Sequence, residues 1–120
     1  YEAMMAAAHY KLDNLCATVD LNRLQISGTT KEVMCSDDMG EKFRAFGWHV
    51  ISVEDGNDCG QLLAAYKQAA EVKGRPTAVI AHTVKGKGVS FMEDNKSWHH
   101  GVMTEEQYKT AVRELEEVLA

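Results

Sequence analysis

Two stretches of this chain combine residue types that can hold ions and move protons. The first is Asp20-Leu21-Asn22-Arg23-Leu24, directly after a short apolar run. An asparagine amide oxygen can coordinate a hard cation, and the main-chain carbonyl two residues on, that of Leu24, can supply a second oxygen. Magnesium and calcium accept such donors beside phosphate oxygens and a carboxylate. Asp and Asn are also common turn residues, so taken alone the stretch leaves both readings open. The second stretch begins at Thr83-Val84-Lys85-Gly86-Lys87-Gly88-Val89. Glycine lets a backbone approach an anion closely, and lysine brings charge to phosphate. The GxxxxGK[ST] spacing is absent, so this is no Walker A loop, and a solvated basic turn is the alternative. Beyond it lies Glu93-Asp94-Asn95-Lys96-Ser97-Trp98-His99-His100-Gly101. Histidine can hydrogen-bond or shuttle protons at neutral pH. A polar loop beyond a strand end keeps a catalytic role open beside a structural one. Zinc ligation is not indicated, because no carboxylate or cysteine is placed to complete the set.

These stretches need a scaffold, and the bulk properties allow one. The 120 residues are 45% hydrophobic and 26% charged with a single proline, which is enough to bury a core. A formal charge of −5 argues against a general nucleic-acid binder, which would carry a basic face. No apolar run approaches the roughly 20 residues that span a bilayer, and no signal-peptide pattern opens the chain. Cys16, Cys35 and Cys59 form no CxxC pair, which fits reduced thiols and a cytoplasmic setting.

The elements alternate. Residues 2–12 (EAMMAAAHYKL) read as a helix, so apolar that it is expected to be buried on most sides, and broken by Asp13 and Asn14. Residues 15–19 (LCATV) read as a buried parallel strand, and residues 22–30 as a loop. Ser36, Asp37 and Asp38 offer a cap for a helix through Phe43 and Phe46, closed by Gly47. Residues 48–53 (WHVISV) form a second strand, and Asp55-Gly56 turns the chain. Asn57 or Asp58 then caps a helix with Leu62, Leu63, Tyr66, Ala69, Ala70 and Val72 on its inner face, stopped by Gly74. Pro76 introduces a third strand, residues 77–83 (TAVIAHT). Thr104 and Gln107 make a capping box for a last helix with a stripe of Tyr108, Ala111, Leu115 and Val118. The alternation predicts an α/β fold, a parallel sheet with flanking helices and right-handed crossovers. Ligands of such sheets bind beyond the carboxyl ends of the strands, where both stretches lie. Tyr1 is not an initiator methionine, and the first helix has no capping residue before it. The chain is therefore expected to begin inside a fold, as a fragment.

Four motifs in order carry a resemblance: Asp20-Leu21-Asn22-Arg23-Leu24, Glu41-Lys42-Phe43-Arg44-Ala45-Phe46-Gly47-Trp48, Thr83-Val84-Lys85-Gly86-Lys87-Gly88, and Ser97-Trp98-His99. In identity, order and separation they resemble transketolases, and in particular the amino-terminal subunit of split bacterial transketolases, along essentially the whole chain. The resemblance implies a thiamine-diphosphate-binding fold, with residues 1–120 as the carboxyl-terminal part of the diphosphate-binding domain, truncated at its start. It implies transfer of a two-carbon ketol unit from a ketose phosphate to an aldose phosphate, with thiamine diphosphate and a divalent cation, Mg2+ or Ca2+, as in the pentose phosphate pathway.

In such families the cation is held by the Asp of a Gly-Asp-Gly motif, by an Asn after the next strand, and by a carbonyl two residues later. The last two match Asn22 and Leu24, with Asn22 also beside the diphosphate. The Gly-Asp-Gly motif is expected just upstream of Tyr1. Lys85 matches a lysine near the cofactor, and His99 a histidine that contacts cofactor and substrate. The family commonly has Trp-His-Gly, whereas here His100 stands between His99 and Gly101, so His100 is the alternative catalytic residue. His99 is preferred because the distance from Lys85 then needs no insertion. The resemblance also implies sugar phosphate substrates, a carboxyl-terminal section or subunit, and a homodimer of the complete enzyme. The glutamate that activates the cofactor belongs to that further section, so these residues alone are expected to be inactive. Two rivals stay open: another enzyme of this cofactor class, such as 1-deoxyxylulose-5-phosphate synthase or dihydroxyacetone synthase, and a non-catalytic assembly module of the same fold.

Overall fold

A computed structural model describes residues 1–36 and 38–119. Asp37, read above as part of a helix cap, lies outside them. In chain order the elements are α1 (Glu2–His9), β1 (Cys16–Leu21), β2 (Leu24–Gln25), β3 (Gly28–Thr29), α2 (Thr30–Val33), α3 (Met39–Ala45), β4 (His49–Val53), α4 (Cys59–Glu71), β5 (Thr77–His82), a 3-10 turn (Lys96–His99) and α5 (Glu105–Leu119). They fall into two compact units. One takes Tyr1–Leu21 with Ser36–Thr83; the other takes Asn22–Cys35 with the chain from Val84 onward.

The first unit is built on a parallel sheet in the order β1-β5-β4. Cys16 to Leu21 run beside Thr77 to His82, and His49 to Val53 beside Thr77 to Ala81. The central strand β5 has helices over both faces, which is why it reads as an unbroken apolar run. On one face Ala78 and Ile80 pack with Ala7, Phe43 and Trp48. On the other, Val79 packs with Ile51, Val53, Ala65 and Ala69. The Phe43 and Trp48 rings meet edge to face at 5.0 Å, and the Trp48 indole N–H donates to the Met4 carbonyl at 3.0 Å. That bond ties α1 to the foot of β4.

Three expectations for this unit need correction. The first helix is not buried on most sides: only Ala7 is buried, and Tyr1, Met5 and Tyr10 are exposed. One face, through Met4, Ala7 and Ala8, lies on the core, and that suffices to hold it. It also ends before Asp13. Lys11 takes a left-handed φ of 52°, and the Leu12 and Lys11 N–H groups cap the Ala7 and Ala8 carbonyls. Strand β1 is not buried either. Cys16, Thr18 and Asp20 are exposed while Ala17, Val19 and Leu21 turn inward, the alternation of a strand with one covered face. On α4 the buried stripe is Leu62, Ala65 and Ala69, whereas Leu63 and Tyr66 are exposed. Small alanines let the helix axis approach the sheet, so Ala65 and Ala69 occupy the centre of the contact with Leu62 beside them. Asp58 is the cap, accepting from the Gly60 and Gln61 N–H groups.

The second unit contains the segments read above as loops. Residues 22–30 are not a plain loop: β2 and β3 pair antiparallel, Leu24 opposite Thr29 and Gln25 opposite Gly28. Thr29 then caps α2 in a full capping box with Glu32, an S/T-x-x-E signal present in the sequence. The capping box at α5 is as expected, with Thr104 N–H donating to Gln107 Oε1 at 2.9 Å and Gln107 N–H to Thr104 Oγ1 at 3.3 Å. Its apolar stripe is packed only in part. Ala111 is buried, but Tyr108, Leu115 and Val118 are exposed. Instead Glu114, one turn on from Ala111, reaches Ser90 through two hydrogen bonds of 2.7 Å, to the backbone N–H and to the hydroxyl. Among the described residues no helix is long and apolar enough to cross a membrane.

Candidate functional site

Strands β1 and β5 are neighbours that end level with one another, Leu21 opposite His82. At these ends the Thr83 hydroxyl donates to the Asp20 carboxylate, pinning the two strands together. Asp20 therefore has a structural task. From each of these ends the chain passes into the second unit, at Asn22 and at Val84. All five residues singled out in the sequence, Asn22, Leu24, Lys85, His99 and His100, belong to that unit.

Asn22 is half-buried and folds back on its own turn. Its side-chain oxygen accepts the Leu24 N–H at 2.9 Å, while Arg23 between them takes a left-handed φ of 62°. The turn reading and the ligand reading are thus compatible, since an amide oxygen can accept a hydrogen bond and coordinate a cation through different lone pairs. The donors fit a hard divalent cation as a partial set, an amide oxygen and a carbonyl, with phosphate oxygens and a carboxylate left to complete it. Among the described residues no cluster of three or more His, Cys, Asp or Glu could hold a metal by itself.

The glycine-lysine stretch is a tight knot. The Asp94 N–H donates to the Lys85 carbonyl at 3.0 Å, closing residues 85–94 at their base. Gly86 has a φ of 74°, and a Cβ there would lie 2.5 Å from the Met92 carbonyl oxygen, so only glycine fits. Glu93 accepts the Gly88 N–H at 3.0 Å and faces Lys87 Nζ at 3.5 Å. The Gly88 N–H, and then Lys87, hold its carboxyl below its ordinary value, against an opposing effect of burial. The two lysines therefore differ. Lys87 is exposed and ion-paired, while Lys85 is half-buried and makes no ion pair among the described residues.

The same knot carries the histidines. Asn95 caps the 3-10 turn, accepting from the Ser97 N–H at 3.0 Å. The Phe91 carbonyl receives both Asn95 Nδ2 at 3.3 Å and the Trp98 indole N–H at 3.0 Å. Gly101 follows because a Cβ there would meet the Trp98 ring at 2.6 Å. His99 ends the turn and His100 caps it; both are exposed, with rings edge-on at 4.7 Å. The geometry brings the pair together without choosing between them. The turn is also joined to the Asn22 hairpin: β2 packs against it, and Lys96 Nζ donates to the Ser27 carbonyl at 2.9 Å. Sequence reasoning missed the roles of Glu93 and Lys96. Their acid and base types were visible, but which backbone groups they meet depends on the path of the turn.

Residues 1–116 match the family model described as transketolase, thiamine diphosphate binding domain. The chain is 50% identical over 117 residues to an apulose-4-phosphate transketolase subunit of Phocaeicola vulgatus, covering 98% of this chain and 41% of that protein. It is 42% identical to the 6-deoxy-6-sulfo-D-fructose transketolase subunit SqwG of a Clostridium species, covering 97% of this chain and 42% of that one. Among solved structures, the transketolase of Campylobacter jejuni superposes with a TM-score of 0.85 at 30% identity, over 96% of this chain and 18% of the other. The chain thus spans about two-fifths of the length of the curated relatives it matches.

Proposed function

The chain belongs to the transketolase family, in its thiamine diphosphate binding domain, and on that premise we propose that the protein carrying it is a transketolase-type transferase. It moves a two-carbon ketol unit from a ketose phosphate to an aldose phosphate, with thiamine diphosphate and a divalent cation, Mg2+ or Ca2+, bound. The 120 residues form the carboxyl-terminal part of the binding domain, because in this family the Asn22 motif follows the Gly-Asp-Gly segment. The observation that carries the reading is the gathering of Asn22, Leu24, Lys85 and His99 into one compact unit, entered from two adjacent strand ends.

When bound, thiamine diphosphate supplies the electron sink for the carbanion chemistry. Asn22 Oδ1 and the Leu24 carbonyl would hold the cation, which would neutralise the diphosphate. Lys85, the lysine of its stretch that makes no ion pair among the described residues, would add positive charge beside that anion. His99 would hold or move a proton at a ring nitrogen during the transfer, with His100 as the alternative. A carboxyl-terminal section or subunit completes the site, a reading supported by the subunit descriptions of the two relatives. A homodimer of the complete enzyme, a cytoplasmic location and a place in pentose phosphate metabolism belong to the same proposal.

The test is carbon-labelled transfer in the complete protein. Labelled carbons 1 and 2 of a ketose phosphate should appear at the head of a new ketose when an aldose phosphate, the cofactor and Mg2+ are present. Condensation of pyruvate with glyceraldehyde 3-phosphate instead would move the protein to the deoxyxylulose-phosphate synthases. Tight cofactor binding without either reaction would favour an assembly module.

A further inference from the structure

Glu93 lies at the one point of the glycine-lysine knot where a backbone donor and a competing cation meet. Its carboxylate accepts the Gly88 N–H at 3.0 Å and pairs with Lys87 Nζ at 3.5 Å. The adjacent Asp94 N–H closes the base of the same turn on the Lys85 carbonyl at 3.0 Å, with Asp94 itself in the left-handed region at φ 50°. The Glu93 N–H donates to the Val89 carbonyl at 3.1 Å, so its own backbone is fixed as well. The side chain is about one-third exposed, with 36% of its surface accessible, so water only partly competes for these bonds. No other carboxylate among the described residues pairs with either lysine of the stretch.

We propose that Glu93 is a positioning residue for the anion site: it fixes the glycine turn through Gly88 and occupies Lys87, so that Lys85 alone is presented to the cofactor's diphosphate. This deepens the proposed function and rests on the placement of Lys85 there. Two consequences separate it from a merely structural role. Glu93 acts through Lys85, so its effect on cofactor affinity disappears once Lys85 is gone. An amide in its place keeps an acceptor for the Gly88 N–H, so Glu93→Gln retains most of the effect while Glu93→Ala loses it.

The experiment titrates thiamine diphosphate into the complete protein in Mg2+ by calorimetry, for Glu93→Ala, Glu93→Asp, Glu93→Gln, Lys85→Ala, Lys87→Ala and the Lys85→Ala/Glu93→Ala pair. Loss of one hydrogen bond to a charged group predicts a Kd raised about tenfold in Glu93→Ala. Glu93→Asp withdraws the carboxylate by one methylene and should match it, which keeps the test alive if Glu93→Ala fails to fold. Glu93→Gln and Lys87→Ala should stay within about threefold, and the double variant should be no weaker than Lys85→Ala alone, as expected of groups acting in series. If Lys85→Ala weakens binding and Glu93→Ala and Glu93→Asp do not, the inference fails and the proposed site stands. If Lys85→Ala has no effect, the placement of Lys85 fails and the inference falls with it. Additive losses in the double variant would show that Glu93 acts elsewhere and would overturn it too.

Discussion

Replacing Asn22 by alanine bears on two roles of its side-chain oxygen. The first is internal: Asn22 Oδ1 accepts the Leu24 N–H at 2.9 Å and shapes the turn that leads into β2. A hydrogen bond between neutral groups contributes about 0.5–1.5 kcal/mol net, so folding stability should fall by about that much. The second is the proposed bond to the cation. An oxygen facing a charged partner is worth about 1.5–3 kcal/mol, which at 1.4 kcal/mol per decade is a loss of roughly tenfold to a hundredfold in affinity. Asn22→Asp separates the two, since it keeps an oxygen for Leu24 and for the cation. The assay is a matrix of Mg2+ and thiamine diphosphate activation curves for the complete enzyme, beside urea denaturation of each variant. Asn22→Ala should shift both activation curves, the cofactor shift shrinking as Mg2+ rises, and Asn22→Asp should keep stability near that of the parent. Activation curves unchanged in Asn22→Ala, with stability lowered as expected, would leave Asn22 as a turn residue and refute the ligand assignment.

Lys85→Ala should raise the cofactor requirement about tenfold, while Lys87→Ala, whose charge is already paired with Glu93, should do much less; equal and negligible effects in steady-state kinetics would mark both as surface lysines. His99→Ala should lower turnover about a hundredfold, more than His100→Ala does, in single-turnover kinetics with a ketose phosphate at saturating cofactor. Damage from His100→Ala instead moves the role one residue along. Glu93 and Glu114 both have carboxyls held below their ordinary value of 4.5, by the Gly88 N–H and by the Ser90 hydroxyl respectively. Their stabilisation is therefore complete above that value and is lost as pH falls through the lowered folded values, which amide exchange at Gly88 and Ser90 should report as loss of protection in acid. In the sheet, Ile80→Ala should cost about 2–5 kcal/mol by urea denaturation. Val118→Ala, at a position 79% exposed, should stay within about 0.5 kcal/mol.

The fold was most legible where one local rule decided the outcome. Pro76 followed by an apolar run gave β5, because a strand covered on both faces cannot alternate. The Thr104–Gln107 pair was readable as a cap, and the cap of α4 was narrowed to Asn57 or Asp58, because capping is chemistry between residues two or three apart. The helix faces were less legible. Periodicity marks which side chains are apolar but not which ridge meets the sheet, and on α4 the contact went to Ala65 and Ala69, leaving Leu63 and Tyr66 outside. The β2–β3 hairpin escaped notice because strands of two residues have no period to detect. In the site, the residue types at Asn22, Lys85 and His99 were visible. The difference between Lys85 and Lys87 was not, because it depends on a turn that brings Glu93 back to Gly88. The adjacent exposed histidines remain equivalent by geometry, so only kinetics distinguishes them.

If this unit helps to hold a diphosphate through a cation, cofactor affinity must depend on that cation. Calorimetric titration of thiamine diphosphate into the complete protein, stripped of metal and then with Mg2+ or Ca2+ restored, measures the dependence directly. Saturable binding of one cofactor per chain is expected, strengthening at least about tenfold when the cation is present. Binding of equal strength with and without the cation, or no binding in either condition, would contradict the proposed role.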